Sequence, residues 1–247
     1  NSVNIFPGFN RPDHIDIPSF DQLNVRNSQS IFGAGPKEVL AEEMNAELQA
    51  IVAQAQAQAA QNGAPVSLAL VAKGVGFGQI TAFADGSLDT GAVEGVDHDL
   101  VIRPFNTAGV IANLRMFTVD ASEQHFGIQA EERFAGDADG DGVSRELTMG
   151  DVTASALFMA ALPIPVQVLP QDGRGRVAVR RGERTFAEVG CTSCHVAEMR
   201  IDNPVFSERA PGSSRAVNLD LTRDAFLPRL RRVRGGGAEL ELYSDLK

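Results

Sequence analysis

In 247 residues the chain has no tryptophan, one tyrosine, two cysteines and four histidines. Each scarcity excludes something. Two cysteines three positions apart, Cys191 and Cys194, cannot make the set of bridges that holds small secreted domains together. They also fall short of the four ligands a structural zinc site needs. Long apolar runs are missing: the best stretch, "VSLALVAKGVGF", is short and carries Lys73. Positive charge is scarce as well, with 22 Lys and Arg against 32 Asp and Glu, a formal net charge of −10. That balance argues against a nucleic-acid surface, which needs a basic stripe. "GVGFG" has the wrong spacing for a dinucleotide-binding turn, and no βαβ unit follows it.

What is present suits a chain with a full core. Forty-three per cent of residues are apolar, and the length allows one large or two ordinary domains. The charge is uneven. Residues 1–170 hold 8 basic and 21 acidic residues (−13), and residues 171–247 hold 14 and 11 (+3). The sign changes near "LPIPVQVLPQDGRG", where three prolines and two glycines break regular structure. The boundary is placed there: a first domain over 1–170 and a second over 171–247. Both ends read as internal to a longer polypeptide.

Periodicity gives the elements. "GPKEVLAEEMNAELQAIVAQAQAQAAQNG" predicts a helix, with Pro36 in its first turn and Gly63 at its end. Val39, Leu40, Met44, Leu48, Ile51 and Val52 share a face, and the Ala/Gln half is expected at the surface. "VSLALVA" and "GQITAFADG" predict a hairpin, and "HDLVIRPF" a third extended piece. Helices are expected within "TAGVIANLRMFTVDASEQHF" and "DVTASALFMAALP", and a short one in "RRGERTFAEVGCTSCH". "AELELYSDLK" alternates like a strand beginning. The fold class expected is mainly α with a small β element.

The chemistry concentrates in "GCTSCHVAEM". In Cys-x-x-Cys-His, two thiols add across the vinyl groups of a haem, and the adjacent histidine ligates the iron. Zinc would have to recruit distant ligands. A thioredoxin-like pair would follow a strand at a helix start, whereas here a helix precedes it. The motif therefore predicts haem c on Cys191 and Cys194, with His195 on the iron. For the sixth ligand, Met199 lies only four residues on and does not easily reach the opposite face. Tyr243 is a conceivable ligand or an aromatic on a strand. His125 is an axial ligand, a distal acid/base or a helix-end histidine. His14 and His98 are expected at the surface. The arginines of "RGRVAVRRGER" and "RLRRVRGGG" would contact haem propionates, steer an acidic partner, or face the acidic first domain.

A second constellation is "DADGDGVSRELTMGD". Asp137, Asp139 and Asp141 followed by Gly142 match the first half of an EF-hand-like calcium loop. Asp137, Asp139, Asp141, the Val143 carbonyl and Glu146 would be the ligands. Glu146 stands at position ten rather than twelve, and a solvated Asp/Gly turn is the other reading.

Several stretches together, "RNSQSIFGAG", "VEGVDHDLVIRPF", "LRMFTVDASEQHFGIQ", "DADGDGVSRELTMGDVTA", "GCTSCHV" and "LYSDLK", resemble the bacterial di-haem oxidoreductases. These are thiol-oxidoreductase-like and related to the di-haem cytochrome c peroxidases. The resemblance implies cytochrome c-like domains, two c-type haems and a periplasmic location. It also implies electron transfer between the haems, with peroxide reduction a further reach. One haem falls on Cys191, Cys194 and His195; the other motif would precede residue 1. Gly182 and Phe186 match the glycine and aromatic that precede the motif in a cytochrome c domain. The implied partner is a redox protein or a small oxidant. A non-catalytic electron-transfer cytochrome and a haem-binding docking module are the rival functions.

Overall fold

The computed structural model of the chain describes residues 2–4, 24–26, 30–106, 109–241 and 246. His14 and Tyr243 lie outside the described residues. The fold is mixed α/β, with four α-helices and four small antiparallel sheets among the described residues. The β content exceeds the small element expected, because the region after Cys194 is built from strands.

Strands β1 (Ser2–Asn4) and β2 (Asn24–Arg26) pair with each other. Helix α1 (Ala34–Asn62) is flanked by Gly33 and Gly63, both left-handed. At the C-terminal end that conformation lets the chain leave the helix without a Cβ penalty. Val39, Leu40, Met44, Leu48 and Val52 are buried as expected. The Ala/Gln half is not all surface: Ala55 and Ala59 are fully buried. They continue the stripe of Leu48 and Val52, and their small side chains let the neighbouring hairpin come close.

That hairpin is β3 (Val66–Ala72) and β4 (Val75–Ala82), joined at Lys73–Gly74 with positive φ at both. Such a turn matches the twist of the strands it links. Leu70, Ala72, Phe77, Ile80 and Ala82 turn inward, and β5 (Leu88–Asp89) adds a short edge. "HDLVIRPF" is not a strand. Leu100 has φ of 56°, and Ile102 donates its N–H to Asn45 Oδ1 (2.8 Å) on α1. One N–H of the loop thus goes to a helix side chain, and the others stay local: Leu100 donates to the Asp97 carbonyl, Val101 to Asp99 Oδ1 and Phe105 to the Ile111 carbonyl.

Helix α2 (Leu114–Phe126) starts where Asn113 accepts from the Met116 N–H. Helix α3 (Met149–Ala160) starts at a capping box made by Thr148 and Asp151. Gly35 on α1 faces α3 so closely that a Cβ there would lie 2.4 Å from the Ala160 carbonyl oxygen. Helix α4 (Gly173–Glu188), capped by Asp172, is longer than expected. No helix among the described residues is long and apolar enough to cross a membrane.

After α4, β6 (Glu198–Ile201) pairs with β9 (Ala238–Glu241), and β7 (Val205–Glu208) with β8 (Val217–Asp220). These strands share the core of α1: Met199, Ile201, Phe206, Leu221, Leu230 and Leu240 join the same buried cluster as Leu40 and Phe77. Two polar joints fix them. Glu43 on α1 accepts from the Asp202 and Asn203 N–H groups (2.9 and 2.7 Å) and pairs with Lys73. Arg115 on α2 bonds Glu208 on β7 (2.6 Å), Thr153 on α3 (3.0 Å) and Glu132. A single core therefore draws on residues from both sides of position 170. Between residues 161 and 198, by contrast, no side chain is buried.

Candidate haem-attachment segment

The segment leaves the core through three backbone bonds. Phe226 N–H donates to the Ala161 carbonyl and Ile164 N–H to the Pro228 carbonyl, both 2.8 Å, and Gly33 N–H donates to the Pro163 carbonyl (3.0 Å). Beyond them Val168 is 85% exposed, so the approach to α4 runs over open surface. α4 buries no residue. Its sequence is nonetheless two-sided. Gly175, Val179, Gly182 and Phe186 recur at three- and four-residue steps, which places them on one face. The arginines occupy the other, with the exposed Val177 among them. Among the described residues, the tie from α4 back to the approach is Gln167 Nε2 on Glu183 Oε1 (3.2 Å), with Arg176 bonding the Pro170 and Gln171 carbonyls.

Gly190, left-handed with φ of 87°, turns the chain out of α4 into a single 3-10 turn over Cys191–Ser193. The Cys194 and His195 N–H groups both donate to the Cys191 carbonyl (3.3 and 2.9 Å). That winding gathers Cys191, Cys194 and His195 on one turn. Both thiols are free; Cys191 is half-buried and Cys194 exposed. The His195 ring is exposed and meets Phe186 edge-on, centroids 5.7 Å apart. Gly182 has open space where a Cβ would stand.

The other sequence candidates lie elsewhere. Met199 is buried in the core through β6, which takes it away from the motif turn. His125 is exposed at the end of α2, edge-on to Phe126. His98 is exposed and bonds Thr90 Oγ1 through Nδ1 (2.6 Å). Arg232 pairs with Asp220 rather than with the acidic first half.

The aspartate loop closes as its sequence suggests. Asp137, Asp139 and Asp141 each bring a carboxylate oxygen within 4.8 Å of the others. Asp137 accepts from the Gly140, Asp141 and Gly142 N–H groups, and these bonds hold its carboxyl below the usual range, the Gly142 bond most of all. Val143 follows at the turn. Glu146 is engaged outside the trio: its Oε2 accepts from the Gln129 N–H (2.8 Å).

Sequence reading missed the buried polar groups, the Arg115–Glu208 joint and Glu38. Glu38 is 3% exposed, accepts from the Leu114 N–H (2.7 Å) at the start of α2, and is pushed up to about 8. Burial is the main cause, with Glu42 and Glu208 adding repulsion. The signal was available: Glu38 falls on the Ala34, Ala41 and Leu48 side of α1, where a carboxylate is out of pattern. Family models, curated proteins and solved structures contain no match to this chain.

Proposed function

We propose that the chain is a c-type haem oxidoreductase of the bacterial periplasm, related to the di-haem oxidoreductases its sequence resembles. The observation that carries this reading is the winding of Cys191, Cys194 and His195 onto one turn with both thiols unpaired. Cys191 and Cys194 would add their S–H groups across two vinyl groups, and His195 would ligate the iron through a ring nitrogen. The residues fit such a group. The Gly175, Val179, Gly182 and Phe186 face of α4 is apolar, uncovered by the core and continuous with the motif turn, as a face laid against a macrocycle must be. Bound there, haem would supply one-electron chemistry, and we assign to it the two-electron reduction of a peroxide, with a redox partner protein as the electron donor. In this reading α4 and its turn are the cytochrome c-like part of the chain. The side chains contribute attachment, ligation and an apolar wall.

Expression with c-type maturation tests this. Wild-type protein keeps its haem through acidic organic extraction after denaturation. Cys191→Ala or Cys194→Ala weakens retention, and His195→Ala alters the iron spectrum. Release of all haem from wild type sinks the assignment. A low-spin, peroxide-inert spectrum would instead favour a non-catalytic carrier.

The Asp137–Asp139–Asp141 trio we assign to calcium, with the Val143 carbonyl as a further ligand and Glu146 as one that must first leave Gln129. Three carboxylates this close repel one another unless a cation neutralises them. Calcium should raise the thermal midpoint of wild type and not of Asp137→Asn; equal response in both refutes it.

A further inference from the structure

We infer that Phe186 is a positioning residue for His195: its ring sets the plane in which the imidazole is presented to a haem iron. The role rests on the haem reading above. Two rings well apart in sequence meet because of how the chain leaves α4. The helix carries Phe186 in its last turn. Gly190, with φ of 87°, then turns the chain out of the helix, and the 3-10 turn over Cys191–Ser193 brings His195 beside it. The two rings stand with centroids 5.7 Å apart and planes at 62°. Aromatic pairs favour such edge-to-face arrangements at about 4.5–7 Å. α4 lends no residue to the core, yet Phe186 is half-buried. Its ring neighbour lies on the motif turn rather than in the body.

The backbone alone does not orient the ligand. The His195 N–H bond to the Cys191 carbonyl (2.9 Å) fixes where the residue sits. It leaves open the rotation of the ring about Cβ–Cγ, and that torsion is broad for histidine. In metal sites an outer group on the imidazole sets this rotation, and the setting tunes the metal. An edge-to-face contact depends on direction, so an aromatic neighbour prefers one plane over others. An aliphatic side chain of similar bulk fills the space without that preference. Gly175, Val179 and Gly182, the other members of the stripe, have no ring to make such a contact. Phe186 also stands on a helix, which holds a supporting group more steadily than a loop does.

The test compares the whole chain in three forms: wild type, Phe186→Tyr, which keeps a ring, and Phe186→Leu, which keeps apolar bulk without one. In the haem-free chain, nuclear magnetic resonance should show a ring-current shift on the His195 ring protons. That shift should persist in Phe186→Tyr and vanish in Phe186→Leu. In the chain matured with haem c, electron paramagnetic resonance of the ferric iron should give one narrow set of g values in wild type and Phe186→Tyr. Phe186→Leu should give a shifted or split set. Covalently held haem with wild-type g values in Phe186→Leu overturns the positioning role and leaves the haem reading standing; Phe186 is then only a wall. A Phe186→Tyr spectrum as altered as that of Phe186→Leu overturns it too, because bulk rather than the ring would then be decisive. Wild type that holds no covalent haem overturns both. Should Phe186→Leu fail to load haem, an unchanged His195 ring signal in the haem-free chain overturns the contact on which the role depends.

Discussion

The body of the molecule, residues 34–160 and 199–240, and the stretch 161–198 follow opposite rules. In the body, α1 lies against the β3–β4 hairpin, α3 and the C-terminal strands, and its charged side chains interlock. In 161–198 no side chain is fully buried, Ile164 and Val196 near its two ends pack against the core, and the stripe of α4 meets Pro170 and His195 of the same stretch. An isolated helix of this length is marginal in water, and most helical stability comes from packing one face. The body therefore stabilises itself, while α4 has the sequence of a packed helix without its neighbour. The Cys-x-x-Cys-His turn sits at the end of that stretch. The difference indicates that 161–198 is shaped for something other than the chain's own core.

The sharpest way to break the comparison is Arg115. Its guanidinium is the shared counter-charge of Glu132 and Glu208, both with nearly buried side chains. Arg115→Met leaves two buried carboxylates uncompensated, which costs about 3–5 kcal/mol. Urea unfolding followed by circular dichroism should show the loss. A cost below about 1 kcal/mol would mean that the joint does not hold β7 to α2.

Glu38 gives the next largest effect and a direction with pH. Its folded pKa of about 8 lies above the ordinary 4.5. Between those values the folded chain keeps a proton that the unfolded chain has released. Stability from this group is fully present below about pH 4.5, falls as pH rises, and is lost above about pH 8. Glu42, raised mainly by burial and also by Glu208, acts in the same direction. Glu38→Gln should flatten the slope and stabilise the protein near pH 8 by about 2–4 kcal/mol. Unfolding midpoints near pH 5 and pH 8 decide it; a wild type equally stable at both would contradict the buried, protonated state.

Much of the body was legible in the sequence because its signals are local. Pro36 and Gly63 bracket α1, the runs "VSLALVA" and "GQITAFADG" give the hairpin, although its second strand starts at Val75 rather than Gly78, and "AELE" alternates as β9 does. What was not legible depends on partners far along the chain. "HDLVIRPF" has strand composition, but Asn45 takes its Ile102 N–H and no strand adjoins it. Strands β6, β7 and β8 are four residues each, too short to show a period, and their burial is set by α1. Ala55 and Ala59 looked like surface because alanine carries no pattern until a neighbour packs on it. At the candidate site, Cys191, Cys194 and His195 were legible from spacing alone. That Met199 is committed to the core was not, since it depends on pairing with Leu240.

Phe186 gives the smallest stability effect and the finest test of the comparison. Phe77 in the body is fully buried, and Phe77→Ala should cost about 3–5 kcal/mol. Phe186 is half-buried on a helix without core contact, and its ring neighbour is His195. Phe186→Ala removes an aromatic of the same size, yet without bound haem the unfolding free energy of the body, from urea titration, should change by no more than about 0.5 kcal/mol. The same substitution should lower haem retention, because the stripe next to the motif loses its one large apolar side chain. A loss of body stability comparable to that of Phe77→Ala would show that α4 packs on the core in solution. The two regions would then obey one rule, and the open stripe would no longer need a ligand to explain it.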